Sequence, residues 1–419
     1  MITFYPVATW PTPVESGYVV APGFRDPPFV VADPVQFYCS LSGIGVSGED
    51  PLIQESIDLT VDRAEEGPPP GSTVLELKPS KCRQYEPLKA WTSVLHFKLM
   101  DGMTDNRLEL TVLASEDGGL EKFMISERGE NGAFLAELEL GEWTDWMVHG
   151  FGEENTREGS VRFYLLEVSP GGGNFRFCHS QIYPIRGFTY PEGLSKELVE
   201  EVGPFFVKNS VSPIDDPQLD AFLLEHLYQG CWIAKAAAYV QEKYGWDLHF
   251  CHWHLFDNLN HHSVNPADPE GPNYNIETGI WNIEAQKRAY KIADKALEEF
   301  LELADDETYV IVISDHGMIP AHRWCDVDVL LAKKGLLVFK ENGRAIDFEH
   351  SKVYTLATRG SEIFVNLEGR EPMGIVPSED YEVIQEAVID ALLEWRDRMT
   401  GKRPIALALK LKDSQIIGF

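Results

Sequence analysis

The run Tyr309-Val310-Ile311-Val312-Ile313 leads directly into Ser314-Asp315-His316-Gly317-Met318. Four consecutive β-branched residues with no polar interruption predict a strand covered on both faces, the pattern of a parallel sheet. In open parallel sheets, ligands collect just beyond the carboxyl ends of the strands. An Asp and a His side by side at such an end offer a hard carboxylate oxygen and a borderline imidazole nitrogen, a pair suited to zinc. Gly317 lets the backbone turn sharply beside them.

A second apolar stretch, 248–254, predicts the preceding strand. It is followed by Leu255-Phe256-Asp257-Asn258-Leu259-Asn260-His261. One helical turn brings positions i and i+4 to the same side, so Asp257 and His261 could grip one ion. Either pair alone is weak evidence. Two carboxylate–histidine pairs at successive strand ends predict two adjacent metal sites, and two divalent ions roughly 4 Å apart can clamp a phosphoryl group.

Outward from these motifs the chain divides into three regions. Residues 1–48 are short apolar runs broken by Pro and Gly, read as the N-terminal part of an α/β catalytic domain. Residues 49–187 alternate with period two, as in Thr73-Val74-Leu75-Glu76-Leu77-Lys78 and Arg107-Leu108-Glu109-Leu110-Thr111-Val112, with turn residues between the runs. That pattern predicts a β-rich, sandwich-like insert. Residues 188–419 alternate helices with apolar strands and form the main part of the α/β domain. Helices are expected over about 216–244, 277–303, 326–334 and 379–396, with Gly245 and Gly335 as stops. Leu99-Met100-Asp101-Gly102-Met103-Thr104 places an Asp-Gly after a strand, but inside the β-rich region this predicts a hairpin turn.

A formal charge of −31 opposes binding to nucleic-acid backbones, so no nucleic-acid partner is expected. Six scattered cysteines without a CxxC pair suggest reduced thiols and a cytoplasmic setting. No apolar stretch reaches the length of a membrane span.

The Ser314–Met318 string resembles the metal-binding signature of the alkaline phosphatase superfamily, and is closest to its type I phosphodiesterase and nucleotide pyrophosphatase branch. Asp257 and His261 match that family's other metal motif. The stretches Ile363-Phe364-Val365-Asn366-Leu367-Glu368-Gly369-Arg370-Glu371-Pro372 and Gly374-Ile375-Val376 are similar to a segment of prokaryotic predicted phosphohydrolases. So is the opening from Tyr5-Pro6 to Pro22-Gly23. The resemblance implies a mainly parallel sheet flanked by helices and interrupted by the β-rich insert. It also implies two divalent ions, zinc by its mixed ligands with manganese as the alternative. Asp315 and His316 would bind the metal that activates the nucleophile; Asp257 and His261 would bind the second, with a further His near the C-terminus. The substrate would be a small phosphate ester or nucleotide, attacked in line by a Thr or Ser.

In the family that nucleophile precedes the region matching residues 1–25, so the expectation is a fragment lacking the nucleophile segment and the C-terminal end. His322 follows the metal loop closely and is a candidate substrate contact, as are Arg323 and Arg359. His252, His254 and His262 crowd the second motif and are expected to pack near the site without binding metal. Two other functions stay open: a sulfatase, phosphonate hydrolase or phosphomutase of the same superfamily, and a non-catalytic module binding through its β-sandwich.

Overall fold

A computed structural model of the chain describes residues 2–4, 18–20, 32–40 and 72–80, and most of 85–418. The breaks in that last stretch fall at 86–87, 100–101, 116–118, 130–131, 153–156, 170–172, 273, 323–324, 342, 344 and 356–361. Tyr5-Pro6, Pro22-Gly23, Arg323 and Arg359 therefore lie outside the described residues. The chain divides into two compact units, Met1–Pro320 and Ala321–Phe419. It is a mixed α/β structure with several separate sheets.

The strand Ile2–Phe4 pairs in parallel with Tyr18–Val20 on one side and with His249–Cys251 on the other. Thr189–Tyr190 adds an antiparallel edge beside Tyr18–Val20. His249–Cys251 closes the other edge of this sheet, so residues of widely separated sequence meet at its end.

Between these strands lie the β-rich residues. One sheet runs in the order Phe134–Glu137, Leu120–Glu127, Leu108–Ala114, Lys89–Val94, Lys78–Ser80; a second runs Phe163–Val168, Asn174–His179, Val35–Ser40, Thr73–Leu75. Inward side chains from both, including Phe37, Trp91, Leu110, Val112, Phe123, Phe163, Phe175 and Phe177, share one buried apolar core. Burying a Phe or Leu side chain contributes roughly 1.5–3 kcal/mol, which makes this cluster the main support of the region. Gly102 lies in a hairpin, as expected of the Asp-Gly pair, while Asp101 lies outside the described residues. Phe97–Lys98 pairs antiparallel with Thr104–Asp105, and Gly102 takes the positive φ of 85° that such a turn needs.

Six α-helices follow among the described residues: α1 (Gly193–Glu201), α2 (Asp216–Tyr244), α3 (Leu255–Ala267), α4 (Ile276–Leu301), α5 (Val327–Lys333) and α6 (Tyr381–Glu394). The start of α2 is set by Asp215, whose carboxylate accepts from the Gln218 amide; it stops at Gly245, whose φ of 73° suits a helix end. Between its ends α2 approaches α4 closely. A Cβ at Gly230 would stand 2.7 Å from the Ala296 Cβ and 2.9 Å from the Trp253 ring, so the glycine is required by the close approach.

The predicted strand 309–313 does not form. Its residues belong to no sheet among the described residues, and Tyr309, Ile311, Val312 and Ile313 are 94, 78, 73 and 77% exposed. Apolar, β-branched sequence favours extended backbone, but a strand also needs a neighbour to accept its amide hydrogen bonds. Among the described residues His249–Cys251 ends the parallel sheet without one.

In the unit Ala321–Phe419, α5 and α6 pack their Leu330, Leu331, Val388 and Leu392 with Val353, Val365 and Val376. Asn366 is buried there, and its amide nitrogen donates to the carbonyls of Phe348, Ser351 and Met373. The asparagine of the 363–372 segment is thus a loop-binding residue.

Candidate metal centre

The first acid–imidazole pair is built by α3. Leu255, Leu259 and Ser263 recur at every fourth position and face inward. Asp257 and His261, two positions along, are thereby turned outward on the next stripe. Asp257 sits in the first turn, where the helix dipole favours a carboxylate. Its Oδ1 stands 3.5 Å from Nε2 of His261.

The second pair repeats the spacing, with Asp315 Oδ2 3.5 Å from His316 Nε2. Nδ1 of His316 lies 3.1 Å from the Gly317 carbonyl. A carbonyl only accepts, so in this contact Nδ1 carries the proton and Nε2 presents its lone pair beside the carboxylate. Ser314 closes the loop by donating from Oγ to the His316 carbonyl at 2.6 Å.

A separation of 3.5 Å is long for a hydrogen bond between an imidazole and a carboxylate. It does suit chelation. Two donors about 2.0–2.1 Å from one tetrahedral ion stand roughly 3.3–3.4 Å apart. Each pair therefore fits two adjacent corners around a zinc-sized cation.

His254, at the start of α3, links the pairs electrostatically. Burial pushes its imidazole below the ordinary histidine value, and His252 and His316 push the same way. The carboxylates of Asp257 and Asp315 pull it back up, so one ring feels both acids. The His252 and His254 rings lie 4.2 Å apart. Behind them His226 is buried on α2, its pKa pushed down to about 3 by burial and then by His254. His262 is lowered by burial and by His261.

Among the described residues no three His, Cys, Asp or Glu side chains stand close enough together to hold one ion. The four predicted ligands thus form two separate pairs. His322 is half-buried in the unit Ala321–Phe419. His350 pairs with Asp347 at 2.9 Å on the surface. Sequence reasoning missed the segment 207–213, which walls a cavity of about 410 Å³ together with Asn258, His261 and His262 of α3. No local pattern marks it, because its residues and those of α3 meet only in the fold.

The sequence model of the family described as Type I phosphodiesterase / nucleotide pyrophosphatase matches residues 187–416, more than half of the chain. The chain belongs to this family. As a member of the type I phosphodiesterase/nucleotide pyrophosphatase family, it falls in the alkaline phosphatase superfamily. The matched span contains both acid–imidazole pairs and excludes most of the β-rich residues. Comparison with curated proteins and with solved structures gave no match. No helix among the described residues is long and apolar enough to cross a membrane.

Proposed function

We propose that this phosphodiesterase-family chain contributes the metal-binding part of a hydrolase cleaving phosphodiester or pyrophosphate bonds in small phosphate esters or nucleotides. Asp257 and His261 hold one divalent ion and Asp315 and His316 the other. The observation that carries this is the 3.5 Å oxygen–nitrogen spacing found in both pairs, with His254 sensing both carboxylates. The mixed oxygen and nitrogen donors favour zinc, with manganese as the alternative. Bound there, two such ions supply Lewis-acid charge at the phosphoryl oxygens and lower the pKa of an attacking oxygen. Asp257 and Asp315 balance that charge, and the Gly317 carbonyl keeps His316 in the tautomer that ligates through Nε2.

In this reading the nucleophile is a Thr or Ser hydroxyl delivered by a further strand outside residues 1–419. The uncovered run 309–313 supports it, since a parallel neighbour would bury those apolar side chains and end beside Asp315. The six scattered cysteines without a CxxC pair support a cytoplasmic setting.

Elemental analysis after zinc loading and gel filtration tests the proposal. The chain should retain two ions, and Asp257→Ala and Asp315→Ala about one each. Unchanged zinc in both variants removes these residues as ligands. The 419-residue chain should turn over bis-nitrophenyl phosphate slowly or not at all; turnover at ordinary enzymatic rates would put the nucleophile within residues 1–419.

A further inference from the structure

The cavity beside His261 is bounded on one side by the segment 207–213 and on the other by Asn258, His261 and His262 of α3. These three share a helix face by their i, i+3, i+4 spacing. The same His261 therefore belongs to a metal pair and to the cavity wall. A group bonded to a phosphoryl held at that pair would lie beside this cavity, because His261 belongs to both.

The opposite wall is held rigidly. Gln181, buried in the fold, accepts from the amides of both Val207 and Lys208 at 3.0 and 3.1 Å. Glu225 of α2, fully buried, accepts from the amide and the hydroxyl of Ser210. Gln229 donates to the Phe206 carbonyl and Trp232 to that of Gly203. Behind Glu225 lies Arg162, whose guanidinium is enclosed by the rings of Trp143, Trp146 and Tyr228 at 4.5 to 4.7 Å. Buried polar groups tied to one backbone segment fix its shape before any ligand arrives, which reduces the ordering cost of binding.

The lining chemistry selects a ligand class. The chain carries 67 acidic and 36 basic residues, yet among the described residues no carboxylate lines this cavity, and the ammonium of Lys208 is paired with Asp33 at 3.1 Å. Asn209, Ser212 and Asn258 supply neutral groups that both donate and accept. Val211, Pro213 and Phe222 supply apolar surface between them. Vicinal hydroxyls need that pairing of donor with acceptor, and the carbon face of a sugar ring needs the apolar wall. A phosphate or carboxylate would call for free cations instead.

We propose that this cavity receives the alcohol side of the scissile ester, and that this alcohol is a sugar or similar polyol recognised by Asn209, Ser212 and Asn258. The proposal rests on the assignment of His261 as a metal ligand, and it adds the substrate class to that reading.

The test is equilibrium binding to the zinc-loaded 419-residue chain of two probes, ribose 5-phosphate and n-butyl phosphate, by calorimetry or ligand-observed NMR. Both should bind only in the presence of zinc, with the sugar phosphate about ten-fold or more tighter. Asn209→Ala and, separately, Asn258→Ala should each remove roughly three- to ten-fold of that preference, the range for one neutral hydrogen bond, while butyl phosphate affinity stays constant. Equal binding of the two probes, or a preference untouched by both variants, overturns the cavity assignment and leaves the metal pairs standing. Failure of both probes to bind, or binding that ignores zinc, overturns the metal reading and the cavity with it.

Discussion

Replacing His226 by Phe should make the protein less sensitive to acid. The His226 ring is 1% exposed, both its nitrogens lack a hydrogen-bond partner among the described residues, and it packs 4.5 Å from the Phe222 ring. Burial and the nearby His254 hold its pKa at about 3, against an ordinary value of 6.5. The folded chain refuses a proton that the unfolded chain accepts between those values, so stability is present above pH 6.5 and is lost as pH falls toward 3. From pH 7 to pH 5 the unfolded imidazole goes from about one quarter to almost fully protonated. At 1.36 kcal/mol per pH unit, the loss is about 2 kcal/mol over that interval. Phe cannot titrate, and it also removes two buried polar atoms whose missing hydrogen bonds cost about 1–3 kcal/mol. Urea unfolding followed by tryptophan fluorescence at pH 7 and pH 5 measures both effects. The drop in stability between the two pH values should be about 2 kcal/mol smaller for His226→Phe than for wild type. Equal drops would mean that the imidazole is solvated or protonated in the fold, and the description of the layer behind His254 would be wrong.

Two other substitutions probe the frame around the site. Gly230→Ala forces a methyl into the α2–α4 contact at 2.7 Å from Ala296, and should destabilise by roughly 1–3 kcal/mol or more as an overpacked core does; a melting temperature unchanged within error would refute the close approach. Ile311→Asp changes a residue that is 78% exposed, so the stability of the 419-residue chain should move by no more than about 0.5 kcal/mol. A loss above 2 kcal/mol in thermal or urea unfolding would mean that the 309–313 run is covered.

Helices α2, α4, α5 and α6 were legible because their signals are local, whereas α1 and the full length of α3 were not read. Gly245 marks the end of α2 within the sequence itself, and the observed bounds Asp216–Tyr244 coincide with the expected 216–244. The pairing of Asp257 with His261 was legible for the same reason, since four residues make one turn wherever the helix lies. Strand 309–313 was misread because composition reports a preference for extended backbone and says nothing of whether a neighbour is present. The pairing of Val35–Ser40 with Asn174–His179 was equally hidden. Its register depends on which side chains reach the shared core, and these strands are far apart in sequence. His254 was read as a packing residue near the motif. Its half-burial agrees, but its electrostatic coupling to both Asp257 and Asp315 could emerge only in the fold, because the two acids are far apart in sequence.

The most direct test of the two-pair centre is X-ray diffraction at the zinc absorption edge from crystals of the zinc-loaded chain. Two anomalous peaks should appear about 4 Å apart. One should lie about 2.0–2.2 Å from a carboxylate oxygen of Asp257 and from Nε2 of His261, the other equally close to Asp315 and His316. Peaks that are absent from these four side chains, or that gather on other residues, would contradict the metal centre and the hydrolase function built upon it.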